Sequence, residues 1–383
     1  MNNRIDMVDA LRGYALLGLF LVHCIERFEV FWLAPQFDAW HEWVFALFAG
    51  KAFAIFALLF GFGFATIMAN ERARGGDFTL RFVWRLVLLL GFGTLHVIFY
   101  RGDILQVLAL VGLLLVPLDR IRSDRVLLVL AALALAQLPL WWRLWAAGDG
   151  QAWALAQPLY FSWGSLPTLA EGSFGAVALD NLGPGTVGKW SFYIENGRVM
   201  EIVGLFLIGM LLQRRRLFAD AGARRGFWLV VGLAGALGWL AAQGMTQWIE
   251  ANPLDPRQAQ TGAWLLEQAR GLPAMAFQVA VFVLVWHSPA RLLLAWLAAP
   301  GRMTLTLYIG QSIVFAPLLY GYGFGWWDDL TNAEMVAIGV LTFALQAVLA
   351  ALWFRAFRYG PLEWLWRAGT RTTLAVPLRR TAA

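Results

Sequence analysis

Apolar residues in this chain do not alternate with polar ones at a period of two. They come in runs of about 20, the length that crosses a ~30 Å hydrocarbon core as a helix. Ten runs are legible, at roughly 11–33, 43–69, 82–100, 103–118, 126–145, 197–213, 227–248, 271–287, 303–323 and 334–357. Lipid admits only helices or closed barrels, and the strand alternation of a barrel is missing. The pattern predicts an all-α polytopic membrane protein. The link "YRGD" between the third and fourth runs is tight enough to make them a hairpin. The first run is full length without a small-residue cleavage site, so it is expected to stay as a helix rather than leave as a signal peptide.

The connections alternate in charge. Arg4 and Arg12 begin the chain; Arg72, Arg74, Arg81 and Arg85 follow, then Arg120, Arg122 and Arg125. Further on come Arg214, Arg215, Arg216, Arg224 and Arg225, then Arg291 and Arg302, and a basic tail. The intervening connections are acidic or neutral: Asp38 with Glu42, the segment 146–196, Glu250 with Asp255, and Asp328 with Asp329. By the positive-inside rule both termini are expected in the cytoplasm, and an even number of spans agrees. Residues 1–359 then form one transmembrane domain. The aromatic segment 146–196 is expected as a structured cap or re-entrant element on the outer side. The tail 360–383, opening on "GPLEWLWRAGTR", reads as an interfacial helix on the cytoplasmic face.

Composition adds little that changes this picture. Of 383 residues 60% are hydrophobic and 14% charged, against about a quarter charged in soluble proteins. The net charge of +6 is explained by topology, so no nucleic-acid partner is implied; membrane lipids are the expected surroundings. Cys24 stands alone and cannot form an intrachain disulfide. Four histidines and one cysteine show no metal-ligand spacing. "GFGF" lies inside an apolar helix, so it is neither a dinucleotide nor a phosphate loop. The residues set no oligomeric state.

The candidate chemistry is the polar set inside the runs. Arg12 and His23 are eleven residues apart, so at ~100° and ~1.5 Å per residue they share a face about 16 Å apart. His23 then lies at or beyond the midplane, with Glu26 facing alike and Arg27 beside it. Lys51, His96, Arg101 with Asp103, and Arg198 with Glu201 approach the same depth from other spans, and Tyr308 and Gln311 lie inside the ninth. A charge at mid-membrane costs ~2.5–3.5 kcal/mol. Several at one depth imply a shared pocket, expected to open outward. The plain alternatives are interfacial ion pairs for Arg198–Glu201 and Arg101–Asp103, a snorkelling Lys51, a helix-end His96 and a merely hydrogen-bonded His23.

The same stretches carry a resemblance. "RIDMVDALRGYALLGLFLVH", "FAGKAFAIFALLFGFGFA", "GFGTLHVIFYRGDILQVLALVGLLLVP", "NGRVMEIVGLFLIGMLL", "GRMTLTLYIGQSIV" and "YGPLEWLWR" occur in order from residue 4 to about 371. They resemble the YeiB-like bacterial membrane proteins, a family named by its domain of unknown function 418. The family is grouped with transmembrane acyltransferases, among which an Arg, ten residues and a His open the first helix; Arg12 and His23 match that spacing. YeiB-like proteins usually have Asn where this chain has His23. The resemblance therefore raises His96, in the "LH…GD" motif, to an equal candidate.

Two functions follow. The first is an acyltransferase in the bacterial inner membrane, moving an acyl group, acetyl by preference, from a cytoplasmic thioester such as acyl-CoA to an envelope glycan or lipid. His96 with Asp103 would supply the base, His23 would line the acyl path, and Lys51 or Arg198 would serve the developing oxyanion. Arg12, Lys51, Arg198, Glu201, Tyr308 and Gln311 are the expected substrate-binding residues. No tightly bound cofactor is expected. The second function is a transporter or binding protein using the same polar residues for an amphiphile or anion.

Overall fold

The computed structural model describes residues 5–380, so Arg4 lies outside the described residues. The described residues form helices and turns with no strand. Seven helical segments among them are long and apolar enough to cross a membrane: Asp6–Leu33, Ala39–Arg72, Thr79–Val97, Asp124–Gly148, Arg225–Ala251, Pro256–Trp286 and Asn332–Ala356. The chain is an all-α membrane protein.

The other three of the ten expected spans are shorter. The run 103–118 holds the helices Leu105–Gly112 and Leu115–Leu118, 197–213 is the 17-residue helix Arg198–Arg214, and 303–323 is Thr304–Leu319. The elements used below are α1 (Asp6–Ile25), α2 (Ala39–Leu47), α3 (Lys51–Arg72), α4 (Thr79–Val97) and α5 (Leu105–Gly112). They continue as α6 (Asp124–Leu135), α7 (Leu138–Gly148), α8 (Thr186–Glu195), α9 (Arg198–Arg214) and α10 (Arg225–Ala251). The last four are α11 (Pro256–Trp286), α12 (Thr304–Leu319), α13 (Asn332–Ala356) and α14 (Pro361–Arg371).

Hydropathy measures composition and not continuity, so several runs are broken where the backbone turns. Gly50, at φ 76°, separates α2 from α3, and Gln137, at φ 54°, separates α6 from α7. Conversely, α11 begins well before the apolar run, at Pro256, and Thr261, Gly262 and Trp264 are buried in its early turns.

The first run changes most. α1 ends at Ile25, and Arg27, Phe28 and Glu29 take φ of 47°, 51° and 89° in succession. Such angles cost bulky residues strain and persist only where surroundings enforce them. Here Arg27 is the anchor. It donates to the Ile25 carbonyl at 3.0 Å, to Asn332 Oδ1 at 2.9 Å and to the Leu330 carbonyl at 2.6 Å. Arg27 thus binds the end of α1 to the start of α13 and does not face lipid.

The centre of the bundle is α3 against α9 and α1. Gly61 faces the Phe206 backbone and Gly209 faces the Leu58 carbonyl, so the α3 and α9 backbones nearly touch. Small residues permit this approach in membranes. The rim of the bundle is lipid-facing. On α10, Leu229, Val230, Leu233, Leu237 and Leu240 are exposed while Trp228, Gly232 and Gly235 are buried, a stripe at helical period. The segment 146–196 is folded from short helices and α8.

Candidate functional site

Gly93 and His96 lie three residues apart on α4, one turn from each other. A Cβ at Gly93 would come within 2.7 Å of Asp103 Oδ2 and 2.8 Å of the Gln106 nitrogen. Its absence lets the start of α5 press against α4, so the Asp103 carboxylate reaches His96. Asp103 Oδ1 lies 2.8 Å from His96 Nδ1. Asp103 Oδ2 accepts the Gln106 N–H at 2.9 Å and so caps the first turn of α5. With a carboxylate on Nδ1, the ring keeps its proton there and its lone pair on Nε2. That Nε2 is buried and has no hydrogen-bond partner.

Aromatic rings enclose the pair. Tyr308 on α12 lies 4.9 Å from the His96 ring, and its hydroxyl accepts the Ile104 N–H at 3.3 Å. Tyr100 sits 6.1 Å from the His96 ring and 4.9 Å from the His23 ring. Its hydroxyl shares a 3.1 Å hydrogen bond with His23 Nδ1. His23 therefore belongs to the same cluster, stacked on Phe28 at 5.5 Å, and it points inward.

Lys51, Arg198 and Glu201 form a second group. Arg198 binds Glu267 at 2.8 Å and Glu201 at 3.7 Å, and Lys51 donates to the Phe45 carbonyl at 3.0 Å. These charges are taken up by one another and by the backbone. Gln311 donates to Gln346 at 2.9 Å and joins α12 to α13.

A cavity of about 960 Å³ runs into the bundle from the arginine-rich side. Arg12, Arg85, Arg216, Arg302 and Arg367 line it, and it reaches Leu19, Ile104 and Tyr308. Of the expected substrate-binding residues, Arg12 and Tyr308 line this cavity; Lys51, Arg198, Glu201 and Gln311, and the expected His23, His96 and Asp103, are not among its lining residues. This cavity is on the arginine-rich side, not the side on which the shared pocket is expected to open. α14 adds Glu363, Trp366 and Arg367 to the cavity wall. Its Glu363 accepts from the Leu305 and Thr306 backbone N–H groups at 2.7 and 3.1 Å and from the Thr306 hydroxyl at 2.6 Å. Burial pushes the Glu363 carboxyl above its usual range, and these hydrogen bonds oppose the shift.

The family described as "Protein of unknown function (DUF418)" matches residues 212–373. The uncharacterized protein YeiB of Escherichia coli strain K12 is 30% identical over 413 residues, covering 98% of this chain and 98% of that protein. The uncharacterized protein YxaH of Bacillus subtilis strain 168 is 29% identical over 395 residues, covering 96% of this chain and 94% of that protein. The chain belongs to the YeiB-like DUF418 family. The DUF418 match includes Arg302, Tyr308, Glu363 and Arg367 of the cavity. His96, Asp103 and Arg85 lie before it, within the full-length likeness to YeiB.

Four residues of this YeiB-like site escape the sequence reading. Tyr100 and Glu29 meet beside Gly102, where any side chain would strike the Tyr100 hydroxyl and Glu29 Oε1. Glu29 gets there only through the left-handed turn after α1. Lys189, from α8 in the outer segment, donates to Gln106 at 2.5 Å, and Gln106 donates on to Thr94 at 3.1 Å. The signal for Lys189 and Glu29 is a charge in an apolar stretch; nothing local assigns them a partner. Among the described residues no three His, Cys, Asp or Glu side chains group as a metal site.

Proposed function

We propose that this protein is an acyltransferase of the bacterial inner membrane. It takes an acyl group, acetyl by preference, from a cytoplasmic thioester and gives it to a hydroxyl or amine of an envelope glycan or lipid. The observation that carries this reading is the cavity, which leads from five arginines to Tyr308, the ring packed on His96. By the positive-inside rule its mouth faces the cytoplasm. An anionic acyl donor fits such a mouth, with the acyl group held among apolar walls.

In this reading the acceptor hydroxyl attacks the thioester carbonyl while His96 Nε2 takes its proton. The C–S bond then breaks and the imidazolium returns the proton to the departing thiolate. Asp103 holds the ring and stabilises the imidazolium, as a carboxylate does in catalytic triads. The Tyr308 hydroxyl, which already accepts from Ile104, keeps its own proton to donate to the developing oxyanion. Lys51 and Arg198 are less suited to that role, being engaged elsewhere. His23 flanks the path through Tyr100.

The test uses inverted membrane vesicles with acetyl-labelled acetyl-CoA on the exposed cytoplasmic face. Label recovered on an envelope lipid or glycan, dependent on this protein, supports the proposal. Intact thioester accumulating in the lumen supports transport instead. Label in neither place contradicts both.

A further inference from the structure

Lys189 reaches the surroundings of His96 from the outer segment. It lies on α8, is buried and donates to Gln106 Oε1 at 2.5 Å. Gln106 is fixed on its other side as well. Its amide donates to Thr94 at 3.1 Å, and the Thr94 hydroxyl donates to the Leu90 carbonyl at 2.9 Å. The Gln106 backbone N–H holds Asp103 Oδ2 at 2.9 Å. The ammonium is thus tied to the residue that holds Asp103. Burial pushes Lys189 down to about 8, and the facing carboxylates, Asp103 first and Glu29 second, oppose that shift. The side chain stays charged at neutral pH.

Charge has to balance around Asp103. Its carboxylate is fully buried, and a buried carboxylate without a counter-charge is costly. A protonated His96 would supply that charge, but an imidazolium has no lone pair on Nε2 and cannot act as a base. A neutral His96 therefore needs another cation to stand against Asp103. Arg101 is bound to Asp180 at 3.1 Å and to the Ser165 carbonyl at 2.9 Å. Tyr100 and Tyr308, packed on the His96 ring, and His23 across Tyr100 bring no fixed cation. Glu29 is half-buried and adds negative charge.

We infer that Lys189 is a positioning residue whose charge keeps Asp103 ionised beside a neutral His96, so that Nε2 keeps its lone pair. The outer segment then supplies the counter-charge of the base as well as a cover over it. This deepens the proposed function and rests on it only for the use to which the base is put.

The experiment reads the protonation of His96 directly, with or without turnover. The full chain carries isotope-labelled histidine and is studied in nanodiscs at neutral pH by nitrogen NMR. His96 is the signal lost in His96→Gln. Two variants separate charge from attachment. Lys189→Gln keeps a donor for Gln106 without the charge, and Lys189→Arg keeps both. In the wild type and Lys189→Arg, His96 should carry its proton on Nδ1 alone. In Lys189→Gln both ring nitrogens should be protonated. On the same samples, kcat for acetyl transfer should fall tenfold or more in Lys189→Gln, with KM for acetyl-CoA unchanged, and should be retained in Lys189→Arg. An Nδ1-only His96 in folded Lys189→Gln overturns the inference. So does a doubly protonated His96 in the wild type, or a wild-type kcat in Lys189→Gln. If the nitrogens respond as expected while no sample transfers acetyl groups, the counter-charge stands and the acyltransferase reading falls. Should Lys189→Gln fail to fold, Lys189→Met is read in its place. Failure of both to fold makes Lys189 a staple of the fold and overturns the inference.

Discussion

Asp103 Oδ1 lies 2.8 Å from His96 Nδ1, and both side chains are 0% exposed. A carboxylate accepts only, so it fixes the tautomer; an amide there would offer its NH₂ and turn the ring over to the other tautomer. Asp103→Asn should therefore cut acyl transfer by about 10²–10⁴-fold with the melting temperature nearly unchanged. Steady-state rates beside thermal unfolding check this, and wild-type turnover in the variant would remove Asp103 from the site.

His23 Nδ1 shares a 3.1 Å hydrogen bond with Tyr100, and the Glu26 carboxylate stands farther off, at 4.0 Å. The expected role of His23 is to shape the path beside the base. His23→Asn keeps a polar group toward Tyr100 and should retain more activity than His23→Ala. Comparing the two rates decides the matter. A dead His23→Asn alongside a fully active His96→Ala would move the base to His23.

Gly209 is where α9 meets α3, and a Cβ there would collide with the Leu58 carbonyl. Gly209→Ala should force the helices apart. Overpacking of this kind costs about 1–3 kcal/mol, read as a lower unfolding temperature in detergent. Gly91, with no atom within 4 Å of its would-be Cβ, serves as control, and Gly91→Ala should be neutral.

Glu363 fastens α14 to the start of α12 through three accepted hydrogen bonds. Glu363→Ala leaves those donors without their acceptor, at about 1–3 kcal/mol. Glu363→Gln should lose less. Limited proteolysis of α14 should quicken in the order wild type, Gln, Ala; equal rates would show that α14 is held by other contacts.

The helical membrane fold was legible because runs of apolar residues have one structural solution in lipid. His96 and Asp103 were legible because only seven residues and one tight link separate them, so any hairpin brings them together. The breaks inside the runs were not, since a turn at Gly50 or Gln137 leaves hydropathy untouched. Nor were Glu29, which depends on three successive left-handed residues, or the stacking of Arg85 on Trp366 across 281 residues of chain. Arg12 and His23 share a face on an ideal helix, yet only Arg12 lines the cavity. Periodicity places residues on a face but does not say which neighbours fill the space before it.

The most direct measurement is acyl transfer from labelled acetyl-CoA to envelope lipid or glycan, in membranes holding equal amounts of folded wild type and His96→Ala. The account predicts protein-dependent labelling by the wild type and a fall of about 10²–10⁴-fold in the variant. Equal labelling by the two proteins would contradict it.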